Sequence, residues 1–192
     1  MKKILLAAAL SVASFGASAE AGKNFVHGQY TFRDTVAGQS QDPNRQGVNL
    51  TVGRNIGYGI TLDGGVQVRN ENNSNQNDTT RMEAGATYQY AVLKDIALYT
   101  RGAFGYKLTD TNDSTYYSVE PGVGAQLTTK LAVNAGYRYR TAFNGSILDK
   151  TNTVRVGAEY ALNKTQAVTL GVDRSYGDLD FLGVNIGYAV RF

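Results

Sequence analysis

From Leu182 to Phe192 the chain alternates strictly: Leu182, Val184, Ile186, Tyr188, Val190 and Phe192 take every second place, with Gly183, Asn185, Gly187, Ala189 and Arg191 between them. A β-strand turns successive side chains to opposite faces, so this stretch has one apolar face and one small or polar face. The same period of two recurs along the chain. It predicts strands near 24–36, 46–55, 60–70, 79–90, 96–108, 115–127, 131–142, 153–162, 167–176 and 180–192. Tight turns, such as Leu93-Lys94-Asp95, Thr129-Lys130 and Asn163-Lys164-Thr165, alternate with polar loops at Gly38 to Arg45, Glu71 to Asp78 and Asn144 to Asn152. A strand of about ten residues rises about 33 Å, and tilted by about 40 to 45° it covers roughly 25 Å of a membrane.

Alternation alone fits two architectures. In a soluble sandwich the apolar face meets a second sheet; in a transmembrane barrel it meets lipid and the polar face lines a lumen. The heights of the aromatic residues separate the two. With the first strand rising from the periplasm, Tyr30, Phe32, Phe104, Tyr106, Tyr117, Tyr137, Tyr139, Phe143 and Tyr176 gather toward one rim, and Tyr88, Tyr90, Tyr160, Tyr188 and Phe192 toward the other. Aliphatic residues such as Val52, Leu62, Leu98, Val156, Leu170 and Ile186 lie between them. Two aromatic girdles around an aliphatic band suit headgroup depth on either side of hydrocarbon. The expected class is therefore all-β, a transmembrane antiparallel up-and-down barrel of ten strands, with eight or twelve left open.

The N-terminus agrees with export. Lys2 and Lys3, the apolar run Ile4 to Leu10 and the small residues through Ala17-Ser18-Ala19 follow the order of a secretory signal. Residues 1–19 are read as that signal and 20–192 as one barrel in the outer membrane, in contact with its lipid. The signal carries two of the 19 Lys+Arg and none of the 16 Asp+Glu, so the mature chain is close to neutral. No global basic field then argues for nucleic acid. The chain has no Cys, which excludes a disulfide framework and Cys-based zinc sites.

The inward set carries the chemistry. It contains Arg33, Arg69, Arg81, Arg101, Lys107, Arg138, Arg140, Arg155 and Arg191 against Asp63, Glu83, Glu120, Glu159 and Asp173. Of these, Arg33, Arg69, Arg81, Glu83, Arg101, Lys107, Glu120, Arg138, Arg140, Arg155 and Glu159 are the candidate pore-lining residues. Adjacent strands are expected to bring Glu83 and Glu120 toward Arg101, and Glu159 toward Arg138 and Arg140. The cationic surplus favours small anionic solutes in a narrow passive channel, because rings of Arg or Lys bias a pore that way. Ten strands also lie close to the size at which side chains fill a barrel, so a non-conducting barrel whose polar loops bind a surface partner is the alternative. Numerous inward glycines tilt the expectation toward open space. Pro121, inside a strand, predicts a kink or bulge helped by Gly122. Arg54 and Arg174 come out lipid-facing but near strand ends.

The C-terminal stretch with Tyr188, Val190 and Phe192 resembles the assembly signal of outer-membrane proteins, which implies the barrel-assembly machinery as a partner. Tyr137-Arg138-Tyr139-Arg140 and Val154-Arg155-Val156-Gly157-Ala158-Glu159-Tyr160 resemble the alternating basic strands of the small monomeric porins, in particular the oligogalacturonate-specific type. That resemblance implies a compact barrel with an Arg-lined lumen, although that family has twelve strands and a longer chain. No cofactor is expected. Proteases and acyl hydrolases built on barrels need a His beside a carboxylate or a Ser. His27, the one His, falls inward at the periplasmic end, so no enzyme is expected. Glu71 to Asp78 and Asp110 to Ser114 lack the spacing of an EF-hand loop and read as solvated loops.

Overall fold

The structure, a computed structural model, describes residues 24–35, 45–71, 79–109, 113–143, 150–177 and 181–192. Ten strands follow one another: β1 (Asn24–Thr35), β2 (Arg45–Gly57), β3 (Ile60–Glu71), β4 (Thr79–Leu93), β5 (Ile96–Leu108), β6 (Ser114–Gln126), β7 (Leu131–Ala142), β8 (Thr151–Ala161), β9 (Gln166–Gly177) and β10 (Phe181–Arg191). Each pairs antiparallel with its sequence neighbours, and β1 pairs with β10 from Phe25↔Arg191 to Thr35↔Phe181, which closes the barrel. Closure leaves no unpaired ladder, a condition for backbone in hydrocarbon, where exposed N–H and C=O groups have no water to bond. The clearest departure from the expected boundaries is β4, which continues past Tyr90 to Leu93.

Local chemistry sets the turns at the end where β1 begins and β10 finishes. Gly57, Tyr58 and Gly59 all take positive φ between β2 and β3, and the amide of Gln89 donates to the Gly59 carbonyl over 2.8 Å. A side chain on Gly59 would collide with the Gln89 carbonyl oxygen. Between β6 and β7 the Thr128 hydroxyl accepts from the amides of Lys130 and Leu131 at 3.2 and 3.0 Å. Between β8 and β9 the Asn163 carboxamide oxygen accepts from the amides of Thr165 and Gln166, both at 2.9 Å. Such side chains supply the acceptor that a short connection cannot find in the ladder. Register shifts fall only next to these turns, at Asn55/Gly57 and Ala91/Leu93, among the described residues. At the opposite end lie the longer connections; most of Gly38 to Arg45, Glu71 to Asp78 and Asn144 to Asn152, and Asp110 to Asn112, fall outside the described residues.

Pro121 corrects the expectation of a bulge. It interrupts the β6–β7 ladder, which has no pairs at Glu120 and Pro121, yet the register is the same on both sides, Val119↔Tyr139 and Gly122↔Gly136. Proline removes one donor; here the ladder opens locally without the extra residue that defines a bulge.

The exterior is apolar by alternation. Along β10 the inward residues are buried while Leu182, Val184, Ile186 and Tyr188 are exposed. Near the loop end Tyr117 packs against Tyr139 and Phe143, with ring centroids at 6.4 and 5.3 Å, and Phe104 stacks on Phe143 at 6.1 Å. Tyr88, Tyr90, Tyr160 and Tyr188 stand exposed toward the turn end. Arg54 lies outward near the turn end of β2, and Arg174 folds over the Tyr176 ring at 4.8 Å near the loop end of β9. Both lie near strand ends, where a long charged side chain on the lipid face can extend to headgroup depth.

Candidate functional site

Inward residues of all ten strands meet in one lumen, which holds a cavity of about 160 Å³. Of the sequence candidates, Arg81, Glu83, Arg101, Glu120, Arg138, Arg140, Arg155 and Glu159 line it. Arg69 and Lys107 face inward beyond its lining, and the side chain of Arg33 is outside the described residues. At roughly 30 Å³ per water the cavity accommodates about five waters, and it is smaller than the roughly 300 Å³ at which pockets for larger organic ligands begin.

The expected pair of Arg101 with Glu83 on the neighbouring strand forms, but other ion pairs reach past the neighbouring strand. Arg101 on β5 meets Glu83 on β4 at 2.5 Å, but its second carboxylate is Asp63 on β3, reached by Nη2 at 2.5 Å and Nε at 3.1 Å. Arg155 on β8 passes over β7 to Glu120 on β6 at 3.0 Å, and also binds Asp173 on β9 at 3.2 Å. Arg191 on β10 passes over β9 to Glu159 on β8. The expected contacts of Glu120 with Arg101, and of Glu159 with Arg138 and Arg140, are therefore replaced. The cause is the small residue on the strand between. A Cβ on Gly85 would stand 2.8 Å from Nη2 of Arg101, and one on Gly136 would stand 3.4 Å from Oε1 of Glu120. Ala167, fully buried, lies on the strand that Arg191 crosses. A long planar guanidinium gains two carboxylates where the backbone beneath it carries no bulk.

Glycines shape the lumen in a second way, which corrects their reading as open space. A Cβ on Gly53 would collide with the Phe25 ring, one on Gly105 with Tyr116, and one on Gly122 with Tyr99. The Tyr99 hydroxyl extends as far as Gly136 and donates to Oε1 of Glu120 at 3.3 Å. Phe25, Tyr99 and Tyr116 are buried although they face the lumen. Each fills the groove that a glycine leaves on the next strand, so these glycines are covered rather than vacant. Which glycine each ring covers depends on register, which one strand does not reveal.

Charge is sorted along the axis. Within two residues of the loop ends, the inward described side chains include Arg69, Arg81, Lys107 and Arg140 and no carboxylate. Arg81 and Lys107 are direct cross-strand partners of like charge. Arg140 lies over the Tyr116 ring at 5.4 Å. The middle belt is neutralised by the Arg101 and Arg155 pairs, and the turn end by Arg191 with Glu159. His27 is fully buried near the turn end, its Nε2 at 2.9 Å from the Thr169 hydroxyl. Among the described residues no cluster of His, Cys, Asp and Glu is arranged to hold a metal ion.

A family model described as outer membrane protein beta-barrel domain matches residues 4–161 of the chain. Among solved structures, the NanC porin superposes with a TM-score of 0.60 at 10% identity, covering 86% of this chain and 98% of that one. An outer membrane channel from Pseudomonas putida F1 gives 0.56 at 11% identity, with 95% and 100% covered. The KdgM porin gives 0.50 at 13% identity, with 88% and 99% covered. At these identities the likeness is one of fold. No curated protein matches the sequence.

Proposed function

From the premise that this chain belongs to the outer membrane protein β-barrel domain family and resides in the outer membrane, we propose that it is a narrow passive channel whose net positive lumen favours small anionic solutes. The observation that carries the proposal is the cationic surplus of the inward wall as a whole; the cavity itself is lined by five cations and five carboxylates, and the excess comes from Arg69, Lys107 and Arg191 beyond it. Inward described side chains comprise Arg69, Arg81, Arg101, Lys107, Arg138, Arg140, Arg155 and Arg191 against Asp63, Glu83, Glu120, Glu159 and Asp173. Similar folds that are named as porins or as a channel support the same reading. In this account Arg81, Arg101, Arg138, Arg140 and Arg155 line the path, with Glu83, Glu120 and Glu159 setting its local charge. The protein works without catalysis or a cofactor. Residues 1–19 direct export, and Tyr188, Val190 and Phe192 at the last strand address the barrel-assembly machinery.

One observation favours a second reading. The rings of Phe25, Tyr99 and Tyr116 and the cross-lumen ion pairs occupy much of the interior, as they would in a barrel that conducts nothing and acts through its surface. Single-channel recording on protein refolded into planar bilayers separates the two. The channel reading expects small steps of current with a reversal potential on the anion side under a salt gradient. It also expects that replacing Arg138 and Arg140 by Gln moves that potential toward cations. Silent bilayers with correctly folded protein, or a potential unmoved by the replacements, would refute it and leave the closed barrel.

A further inference from the structure

Arg138 stands apart from the other lumen arginines. Arg101, Arg155 and Arg191 each have carboxylates, whereas Arg138 makes no ion pair among the described residues and its Nε has no hydrogen-bond partner. The carboxylates nearby are engaged elsewhere: Glu120 gives one oxygen to Tyr99 and the other to Arg155, and Glu83 is held by Arg101. Arg155 and Arg140 repel Arg138, while Glu120 and Glu83, both engaged elsewhere, attract it. Toward the loop end the wall adds Arg81 opposite Lys107. The cavity of about 160 Å³ is lined by Arg81, Arg138, Arg140 and Tyr116, along with the engaged carboxylates Glu83 and Glu120.

A lumen guanidinium that makes no ion pair of its own, close to two further arginines, is electrostatically costly. A small anion offsets that cost, and guanidinium groups match oxyanions by paired N–H donors. We propose that the loop-end half of the lumen is a binding site for one compact oxyanion, free inorganic phosphate being the representative, held by Arg138 with Arg140 and Arg81. The proposal deepens the anion-preferring reading and rests on it for the sign of the interior. It concerns occupancy at equilibrium, which does not require conduction. The site lies on the loop-end side of the neutral belt of Arg101 and Arg155.

The test is equilibrium titration of inorganic phosphate into the full barrel refolded in zwitterionic micelles, by calorimetry at low salt, with folding checked by heat-dependent gel mobility. The expected result is saturable binding of one phosphate per barrel, weakened about tenfold by Arg138→Gln, as for loss of one charge-assisted contact. Arg54→Gln, on the lipid face, leaves it unchanged. In phosphate-free buffer Arg138→Gln is at least as heat-stable as the parent, and only the parent gains melting temperature on adding phosphate. No saturable phosphate binding, or equal weakening by Arg54→Gln, overturns the site. A barrel that conducts anions without binding phosphate refutes this inference alone. One that binds phosphate without conducting refutes the channel alone.

Discussion

A single methyl group at Gly122 tests whether the lumen is built by rings seated on glycines. An Ala there places its Cβ inside 3.0 Å of the Tyr99 ring, nearer than real Cβ atoms stand, so the ring has to leave its groove. The displacement breaks the 3.3 Å hydrogen bond from Tyr99 to Glu120. Overpacking in a filled interior costs about 1 to 3 kcal/mol and a long hydrogen bond to a carboxylate adds about 1 kcal/mol, so Gly122→Ala should lose about 2 to 4 kcal/mol. Urea titration of the barrel folded into lipid vesicles reads this as a lower midpoint at unchanged slope. Tyr99→Ala supplies the control: with the ring absent, the methyl at 122 meets space, and adding it should cost less than about 0.5 kcal/mol. Additive losses in the double variant, or a single variant indistinguishable from the parent, would refute the packing account.

Three further outcomes follow from the same geometry. Arg101→Gln strands the carboxylates of Asp63 and Glu83 and should cost about 3 to 5 kcal/mol in the same titration, because each loses its buried counter-charge. Leu170→Arg, placed outward in the middle of β9, should cost about 2 to 4 kcal/mol in vesicles, whereas Arg174→Leu at the rim should change stability by less than about 1 kcal/mol. Phe192→Ala leaves the backbone pairing of residue 192 with Asn24 intact and should keep refolded stability within about 1 kcal/mol while sharply reducing the amount assembled in cells, read by heat-modifiable gel mobility of envelope fractions.

The fold was legible because every strand states its two faces in single residues. Period two, turn chemistry at Asn163, and aromatics at two heights each report a local fact, and in a meander local facts add up to the topology. Membership of the lumen was legible for the same reason: parity alone assigns Arg101, Glu120 and Arg155 inward. Their partners were not, since partner choice depends on the residue of the intervening strand. Gly85 and Gly136 read as openness in the sequence, and only the register shows Arg101 and Glu120 using them as low points across which to pair. Pro121 was visible as a ladder defect, but whether the strand absorbs it by a bulge or by a local opening depends on β7, which resumes register at Gly136.

The account stands on lipid lying against the even-numbered positions of β10 and the lumen against the odd ones. The chain has no Cys, so one introduced cysteine at a time from Leu182 to Val190 carries a spin label without background. Collision rates with oxygen and with a water-soluble nickel chelate, measured in vesicles, report lipid and water exposure at each position. Oxygen accessibility should peak at 182, 184, 186 and 188 and fall at 183, 185, 187 and 189. A profile without that two-residue period, or one in which the even positions meet the chelate instead of oxygen, would contradict the membrane barrel itself.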